Sequence, residues 1–239
     1  MNYTIDVHTH TLACNHAFST LEENVAAARS KGFKILCYTE HGPAMPYAPP
    51  DWFYEELHRI PDYISDIRVI TGIEANIADD LGATDIDSFD DNAFKFIIAS
   101  MHKHTYFPKK PQNETEALLN LLDNKNIDML GHIDSPYFKI DYEPVIKKAA
   151  QTNTLIEFNN GSLTGVRRGG ENNMAQMAKY CEQYGCYAAL GSDAHISSNI
   201  GVFDGVKKIL NQCSFPKELI INDKPDLFLD ILRQNNKQV

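Results

Sequence analysis

Histidines and carboxylates recur at one end of the predicted strands, and this arrangement constrains the fold more than any other feature of the chain. Seven of the nine histidines, together with Glu74 and Asp193, stand at the carboxyl ends of predicted β-strands. The first strand, residues 3–7, leads into His8 and His10, whose imidazoles point the same way because side chains alternate along extended backbone. Imidazole and carboxylate are both metal ligands, so the pattern predicts a metal site.

The spacing of these residues is that of a repeating βα protein. Successive strand ends lie 27 to 34 residues apart, the length of one strand, one helix and a return loop. Apolar residues have helical spacing in the segments 19–31, 114–126, 142–151, 171–184, 202–211 and 225–234, and more weakly in 51–66. For the first of these helices, Ser19 is the predicted N-cap and Gly32 the residue that ends it.

Alternating strands and helices predict a parallel sheet covered by helices, either closed into a barrel or left open. The candidate ligands favour the barrel. A barrel gathers the carboxyl ends of all its strands around one axis, whereas an open sheet offers a crevice at one switch point. Six of the seven predicted strands end in a candidate ligand. We therefore expect a single α/β domain over residues 1–239, built as a barrel of seven βα units.

Composition limits the partners and the location of the protein. Asp and Glu outnumber Lys and Arg by 32 to 22, and the formal net charge of −10 disfavours binding to long nucleic acids or anionic membranes. We find no signal-peptide pattern, and no apolar run approaches the ~18 residues needed to span a bilayer. The five cysteines form no C-x-x-C pair and predict neither a disulfide framework nor a zinc knuckle. We expect a cytoplasmic protein, with its oligomeric state left open, a homo-oligomer included.

Any one of these histidines, taken alone, is better explained by a structural role than by ligation. The whole set is different, because burying so many polar groups without a metal would be costly. The nine candidate ligands are His8, His10, His16, His41, Glu74, His102, His132, Asp193 and His195. Shared among three divalent ions, with Glu74 bridging two of them, they would leave coordination positions for water and substrate, as catalytic metal sites do.

Further residues of ligand type are predicted to lie outside the site. His58 falls in the weak helical segment, and His104 lies past a strand end beside a lysine. Cys14 is close to candidate ligands in the sequence, but nine other ligands suffice without it. Glu40 should face the opposite side of its strand from the histidine that follows it, which predicts a supporting or structural role.

The ordered motifs resemble those of the PHP family (polymerase and histidinol phosphatase). They are His8-Thr9-His10, His16, Thr39-Glu40-His41-Gly42, Gly72-Ile73-Glu74, Ser100-Met101-His102, Gly131-His132 and Gly191-Ser192-Asp193-Ala194-His195. Within that family the chain is most similar to small stand-alone phosphatases with a trinuclear zinc centre. The resemblance therefore implies a distorted (β/α)7 barrel.

The resemblance also implies how the ligands are divided among three Zn²⁺ ions. The implied sets are His8, His10, Glu74 and Asp193 for the first ion, Glu74, His102 and His132 for the second, and His16, His41 and His195 for the third. Histidine-rich sites also accept Mn²⁺ and Fe²⁺, so the metal used in the cell is left open.

The implied metal centre predicts hydrolysis of small phosphomonoesters with a metal-bound hydroxide as nucleophile. Asp193 or a histidine is the candidate for proton transfer, and the general acid is not assigned. The sixth predicted strand, residues 154–158, lacks a metal-type residue at its end and is followed by two arginines. Arg168 is weakly favoured over Arg167 as a ligand of the substrate phosphate, against the alternative of an exposed basic turn.

Several more functions are left open by the sequence. A histidinol-phosphate phosphatase would use the same metal set, as would a nucleotide phosphodiesterase or exonuclease. A non-catalytic metal-binding module is a further possibility, although the ligand set is complete. Amidohydrolases also place metals on (β/α) barrels, but no lysine stands at a strand end here to bridge two metals.

Overall fold

The fold is built on seven parallel strands, in agreement with the predicted βα repeat. The structure, a computed structural model, describes residues 3–90, 92–108, 113–165, 167–235 and 237–239. The strands are β1 (Ile5–Asp6), β2 (Ile35–His41), β3 (Tyr63–Ile64), β4 (Ile67–Asn76), β5 (Phe96–Ser100), β6 (Met129–Gly131), β7 (Leu155–Asn159) and β8 (Ala188–Gly191). They pair in the order β1-β2-β4-β5-β6-β7-β8, and the short β3 lies antiparallel to β4. The consecutive order brings both edges of the sheet together.

Helices cover the outside of this sheet. They are α1 (Leu21–Ser30), α2 (Asp51–Glu55), α3 (Glu114–Leu121), α4 (Tyr142–Thr152), α5 (Gly161–Thr164), α6 (Glu171–Tyr184), α7 (Asp204–Gln212) and α8 (Pro225–Gln234). The predicted helices are confirmed, with α3 shorter than expected. The segment 51–66 divides into α2, a 3-10 turn at Glu56–Arg59 and β3. The described part of the chain contains no helix with the length and apolarity that a bilayer span requires.

The N-cap of α1 corrects one prediction. Thr20, and not Ser19, caps the helix: its hydroxyl accepts a hydrogen bond from the Glu23 N–H, and the Glu23 carboxylate accepts one from the Thr20 N–H. Ser19 is buried and its hydroxyl accepts a hydrogen bond from the Ser197 N–H instead. Gly32 ends the helix at φ +81°, as predicted.

The apolar residues form two layers, one inside the sheet and one outside it. Alternate residues of the strands, such as Ile5, Ile70 and Phe96, point inward and form one buried cluster. Helix α8 closes the amino end of the barrel, where Phe228 packs edge-on against Phe96 with ring centroids 5.5 Å apart. The other face of the strands packs on the helices. Since apolar side chains fill the amino end of the interior, the carboxyl end is left for polar groups.

The barrel is nearly closed between β8 and β1, and Asn222 fills the remaining gap. Beyond the strands, Thr9 pairs with Ala194 in parallel. Lower down, the Asn222 side chain accepts a hydrogen bond from the Leu190 N–H and donates to the carbonyls of Leu190 and Ile5, at 2.8, 2.8 and 3.0 Å. Its own carbonyl accepts from the β1 side. One buried amide thus satisfies backbone groups of both β8 and β1, the two edge strands of the barrel.

Replacing Asn222 with alanine should weaken this closure. The change leaves three buried backbone groups without partners, so we expect the free energy of unfolding to fall by about 2–4 kcal/mol. Asn211→Ala, at an exposed position of α7, is the matched control and should change it by less than ~0.5 kcal/mol. Urea unfolding followed by circular dichroism measures both. Equal midpoints for the two variants would show that Asn222 does not hold the barrel closed.

Candidate metal centre

The nine predicted ligands meet at the carboxyl end of the barrel, with Glu74 at their centre. Its side chain is 1% exposed. One carboxylate oxygen, Oε2, lies 2.6 Å from His41 Nδ1, and the other, Oε1, lies 2.8 Å from His132 Nε2. The Nε2 atoms of three further histidines lie 3.4 to 3.5 Å from its oxygens: His8, His10 and His102. One buried carboxylate is thus surrounded by five imidazoles.

Four ligand atoms of the set implied for the first ion lie close together, and those of His8, His10 and Asp193 are near enough to one another to share a metal ion. The Nε2 atoms of His8 and His10 lie 3.0 Å apart, and Glu74 Oε2 lies 3.4 and 3.5 Å from them. Asp193 Oδ1 lies 3.8 Å from the first of these nitrogens and 3.3 Å from the second. A tetrahedron with zinc–ligand distances of ~2.0–2.1 Å has edges of about 3.3–3.4 Å. The five separations scatter around that value.

The remaining ligands form two further groups beside the first. Glu74 Oε1 faces the Nε2 atoms of His132 and His102, as implied for a second ion. His16 Nε2 lies 3.1 Å from His41 Nε2, and the His16 and His195 rings lie 4.8 Å apart, as implied for a third ion. His41 lies between the two groups, because its other nitrogen faces Glu74.

Glu157 orients the first of these histidines and was missed by the sequence analysis. It lies on β7, is fully buried, and its Oε1 lies 2.7 Å from His8 Nδ1. Its other oxygen accepts a hydrogen bond from the backbone N–H of His132 at 2.7 Å. A β-carbon at Gly191 would lie 2.0 Å from Glu157 Oε1, so the glycine makes room for the carboxylate. A lone glutamate inside an otherwise apolar strand was the available signal.

Three more imidazoles are fixed through Nδ1 in the same way. His102 Nδ1 lies 2.8 Å from Asn76 Oδ1. The Nδ1 atoms of His16 and His195 each lie 2.9 Å from a backbone carbonyl oxygen. A hydrogen bond at Nδ1 fixes the tautomer and leaves Nε2 as an acceptor, which is how metal-binding histidines are commonly held.

The cluster fits a cation on chemical grounds. Buried atoms with no hydrogen-bond partner among the described residues include Glu74 Oε2 and His102 Nε2. Buried polar atoms without partners are costly, and a cation would satisfy them. Two ligands also have strained backbone, since His132 has φ +30° and Asp193 has φ +54°. Residues other than glycine are uncommon in that region, and such strain clusters at functional sites.

The charges of four of the nine candidate ligands suit metal binding. Burial raises the pKa of Glu74, but the surrounding histidines, His8 foremost, lower it by more than burial raises it. The net pKa therefore lies well below its usual value. Burial likewise raises the pKa of Asp193, but the nearby positive charge of the Arg167 guanidinium and the surrounding histidines outweigh the effect of burial, so this pKa is also lowered. Burial lowers the pKa of His132 and His195 to about 4. These four ligands are therefore in the deprotonated state that a metal requires at neutral pH.

Comparison with known proteins places the chain in a family. Residues 6–163, more than half of the chain, match the PHP domain family. The chain belongs to the PHP family. Relatives of the PHP protein include two bacterial proteins named probable phosphatase. The protein from Clostridium acetobutylicum is 43% identical, and the match covers 99% of this chain and 97% of the relative. The protein from Photobacterium profundum is 37% identical, and the match covers 100% of this chain and 97% of the relative.

A solved structure shares the fold of the PHP protein. It is a histidinol phosphate phosphatase from Lactococcus lactis, crystallised with zinc, L-histidinol and phosphate. The TM-score is 0.63, the sequences are 20% identical, and the match covers 90% of this chain and 95% of the other. The likeness confirms the distorted (β/α)7 barrel.

A cleft of about 780 Å³ opens onto the metal-binding cluster of the PHP protein. Five predicted ligands line it: His16, His41, His102, Asp193 and His195. Arg167 also lines it, and its guanidinium bonds to the carboxylate of Asp193. Arg168, the arginine that the sequence favoured, is exposed and does not line the cleft. Both arginines lie between α5 and α6 and outside the strands, so strand periodicity could not determine which of the two points inward.

The residues predicted to lie outside the ligand set are accounted for as follows. His58 is exposed, with Nδ1 2.7 Å from the Glu55 carbonyl oxygen, and the exposed His104 lines the cleft. Cys14 donates a hydrogen bond to the Thr11 carbonyl, and burial raises the pKa of its thiol to about 12. Its sulfur nevertheless lies within 4.8 Å of ligand atoms of three histidines, so its exclusion stays a prediction.

Glu40 lies on the opposite face of β2 from His41, as predicted. Its Oε1 accepts a hydrogen bond from the Thr11 N–H at 2.7 Å and another from the Thr11 hydroxyl at 2.5 Å. These two bonds anchor the loop that follows His10. Glu40 therefore supports this ligand segment, and because its carboxylate also lies within 4.8 Å of ligand atoms of His10 and Cys14, its exclusion from the ligand set stays a prediction.

Glu157→Gln should weaken metal binding without unfolding the PHP protein. The amide keeps the size of the carboxylate but offers an acceptor oxygen to only one of His8 Nδ1 and the His132 N–H, so one ligand segment loses its support and zinc affinity should fall by about 10–100-fold. Glu182→Gln, at an exposed position of α6, is the control and should bind zinc as the unchanged protein does. Zinc retained against graded chelator concentrations is the measurement. Identical retention by both variants would remove the role given to Glu157.

Proposed function

We propose that this chain is a metal-dependent phosphatase that hydrolyses small phosphomonoesters. The observation that carries the proposal is the close approach of ligand atoms from His8, His10, Glu74 and Asp193, next to a cleft that contains an arginine. The relatives named probable phosphatase support the reaction class. The structural relative crystallised with zinc and phosphate supports the choice of metal and of ligand chemistry.

We assign the ligands as the sequence implied, with Zn²⁺ as the resident metal, three ions per chain, and with Mn²⁺ or Fe²⁺ as possible substitutes. Divalent ions in such a cluster lower the pKa of coordinated water toward neutrality, which supplies a nucleophile, and they polarise a phosphoryl group. Glu74 is the bridging ligand in this assignment because each of its oxygens faces a different group of imidazoles.

Arg167 is the residue that we assign to the substrate phosphate. It lines the cleft, its pair with Asp193 holds one side of the guanidinium, and its buried Nε has no hydrogen-bond partner among the described residues. A guanidinium binds phosphate oxygens through parallel N–H donors. Asp193 borders both the cluster and the cleft, so we assign it to accept a hydrogen bond from the attacking water and orient it.

Histidinol phosphate is the second candidate substrate. The structural relative is a histidinol phosphate phosphatase, but at 20% identity the likeness extends to the fold alone. A nucleotide phosphodiesterase or exonuclease of the same family, or a non-catalytic metal-binding module, would be compatible with the same ligand set. The cytoplasmic location, the absence of long nucleic acid partners and the oligomeric state stay predictions.

Metal removal tests the proposed function. Protein stripped by chelator should lose at least about 99% of its activity toward phosphomonoesters, because ions and not side chains supply the nucleophile, and added Zn²⁺ or Mn²⁺ should restore it. Metal content is measured alongside turnover of a panel of monoesters, diesters and histidinol phosphate. Full activity after stripping, or turnover of diesters alone, would overturn the proposal.

Replacing the two neighbouring arginines separately tests the phosphate ligand. Arg167→Ala should lower kcat/KM for a monoester by about 100-fold, because a charged donor to the phosphoryl oxygens is lost. Arg168→Ala, one residue away and exposed, should stay within about twofold. Metal content is measured for both variants, since Arg167 also contacts a ligand. An equal loss for the two arginines would contradict the assignment.

A further inference from the structure

We infer that the cleft selects phosphomonoesters whose leaving group joins an apolar body to a second anionic oxygen group, a carboxylate or another phosphate, and that Lys103 recognises this charge. The inference rests on the proposed function and deepens it, since it concerns the leaving group and not the phosphoryl group. It is carried by two features of the cleft, its apolar wall and its distribution of charge.

The outer part of the cleft is apolar. Met45, Met101, Phe138 and Val202 line it together with Tyr137, whose side chain is 43% exposed. A volume of about 780 Å³ is well above what one phosphate group fills and lies in the range of pockets for small organic ligands. The walls therefore fit the carbon body of a leaving group.

Charge in the cleft is positive apart from one carboxylate. Among the described residues that line it, Asp193 is the only aspartate or glutamate, and its oxygens already face Arg167 and His10. Lys103 is exposed on the rim and its ammonium lies 3.1 Å from the centre of the Tyr137 ring. No carboxylate of the described residues forms an ion pair with Lys103, so the cation–π contact is what holds the ammonium in place.

This arrangement discriminates between leaving groups by charge. An anionic group can pair with the Lys103 ammonium while the apolar body lies against Met101 and Tyr137. An ammonium group in the same place would meet Lys103 with no carboxylate to offset the repulsion. Amine-bearing substrates, histidinol phosphate included, should therefore be poorer substrates than acids of the same size.

Three aryl phosphates that differ in one substituent test the inference. They are 4-(2-carboxyethyl)phenyl, 4-ethylphenyl and 4-(2-aminoethyl)phenyl phosphate, which are of similar size and release phenols of similar acidity. The zinc-loaded protein should prefer the carboxylate over the ammonium substrate by at least about fivefold in kcat/KM, and added salt should reduce that preference. Lys103→Gln should bring the ratio close to 1, whereas Lys103→Arg should keep it.

Lys139→Gln is the matched control, because Lys139 is exposed nearby but does not line this cleft, and it should leave the ratio unchanged. If all three phosphates are hydrolysed equally, if the ammonium substrate is preferred, or if the preference survives Lys103→Gln, the inference is wrong while the phosphatase activity stands. If no phosphate is hydrolysed with metal present, the proposed function fails and the inference fails with it.

Discussion

The carboxyl end of the barrel is organised by the contacts between the buried Glu74 carboxylate and the imidazoles around it. Five imidazoles face a side chain that is 1% exposed, and several of their nitrogens and one of its oxygens have no partner among the described residues. Such a cluster is expensive to bury unless cations complete it. The crowding of imidazoles and carboxylates whose buried atoms have no partner is therefore the physical reason for treating this end of the barrel as a candidate metal centre and not as polar packing.

The rest of the fold serves to hold these side chains in place. Six of the seven parallel strands deliver a ligand segment to the same end, α8 and the apolar interior fill the opposite end, and Asn222 closes the edge where β8 and β1 do not fully pair. Behind the ligands, Glu157 and Asn76 fix the orientation of two imidazoles. Rigid support of this kind matters because metal affinity falls when ligand orientation is lost.

Reaction chemistry and substrate choice are located on different parts of the molecule. The cluster is built from strand ends, which the barrel positions closely, whereas the outer cleft is built from the residues that follow them, such as Lys103 and Tyr137. A family can keep the first and vary the second without disturbing the barrel. Under the proposed function, one metal set would serve several phosphate esters, and the charge of the cleft would separate them.

The sequence by itself determined the barrel and the nine clustered side chains, because alternating strands and helices, repeat length and ligand-type residues at strand ends are local patterns that together point to one arrangement. Tertiary structure alone decided which side chains support the ligands. Glu157 and Asn222 act across 149 and 217 residues, and Arg167 rather than Arg168 lines the cleft in a segment that lies outside the strands and has no periodicity to read. The N-cap of α1 also depended on a distant contact. Either Ser19 or Thr20 could cap the helix by sequence, but the Ser19 hydroxyl accepts a hydrogen bond from the Ser197 N–H, and Thr20 is the cap.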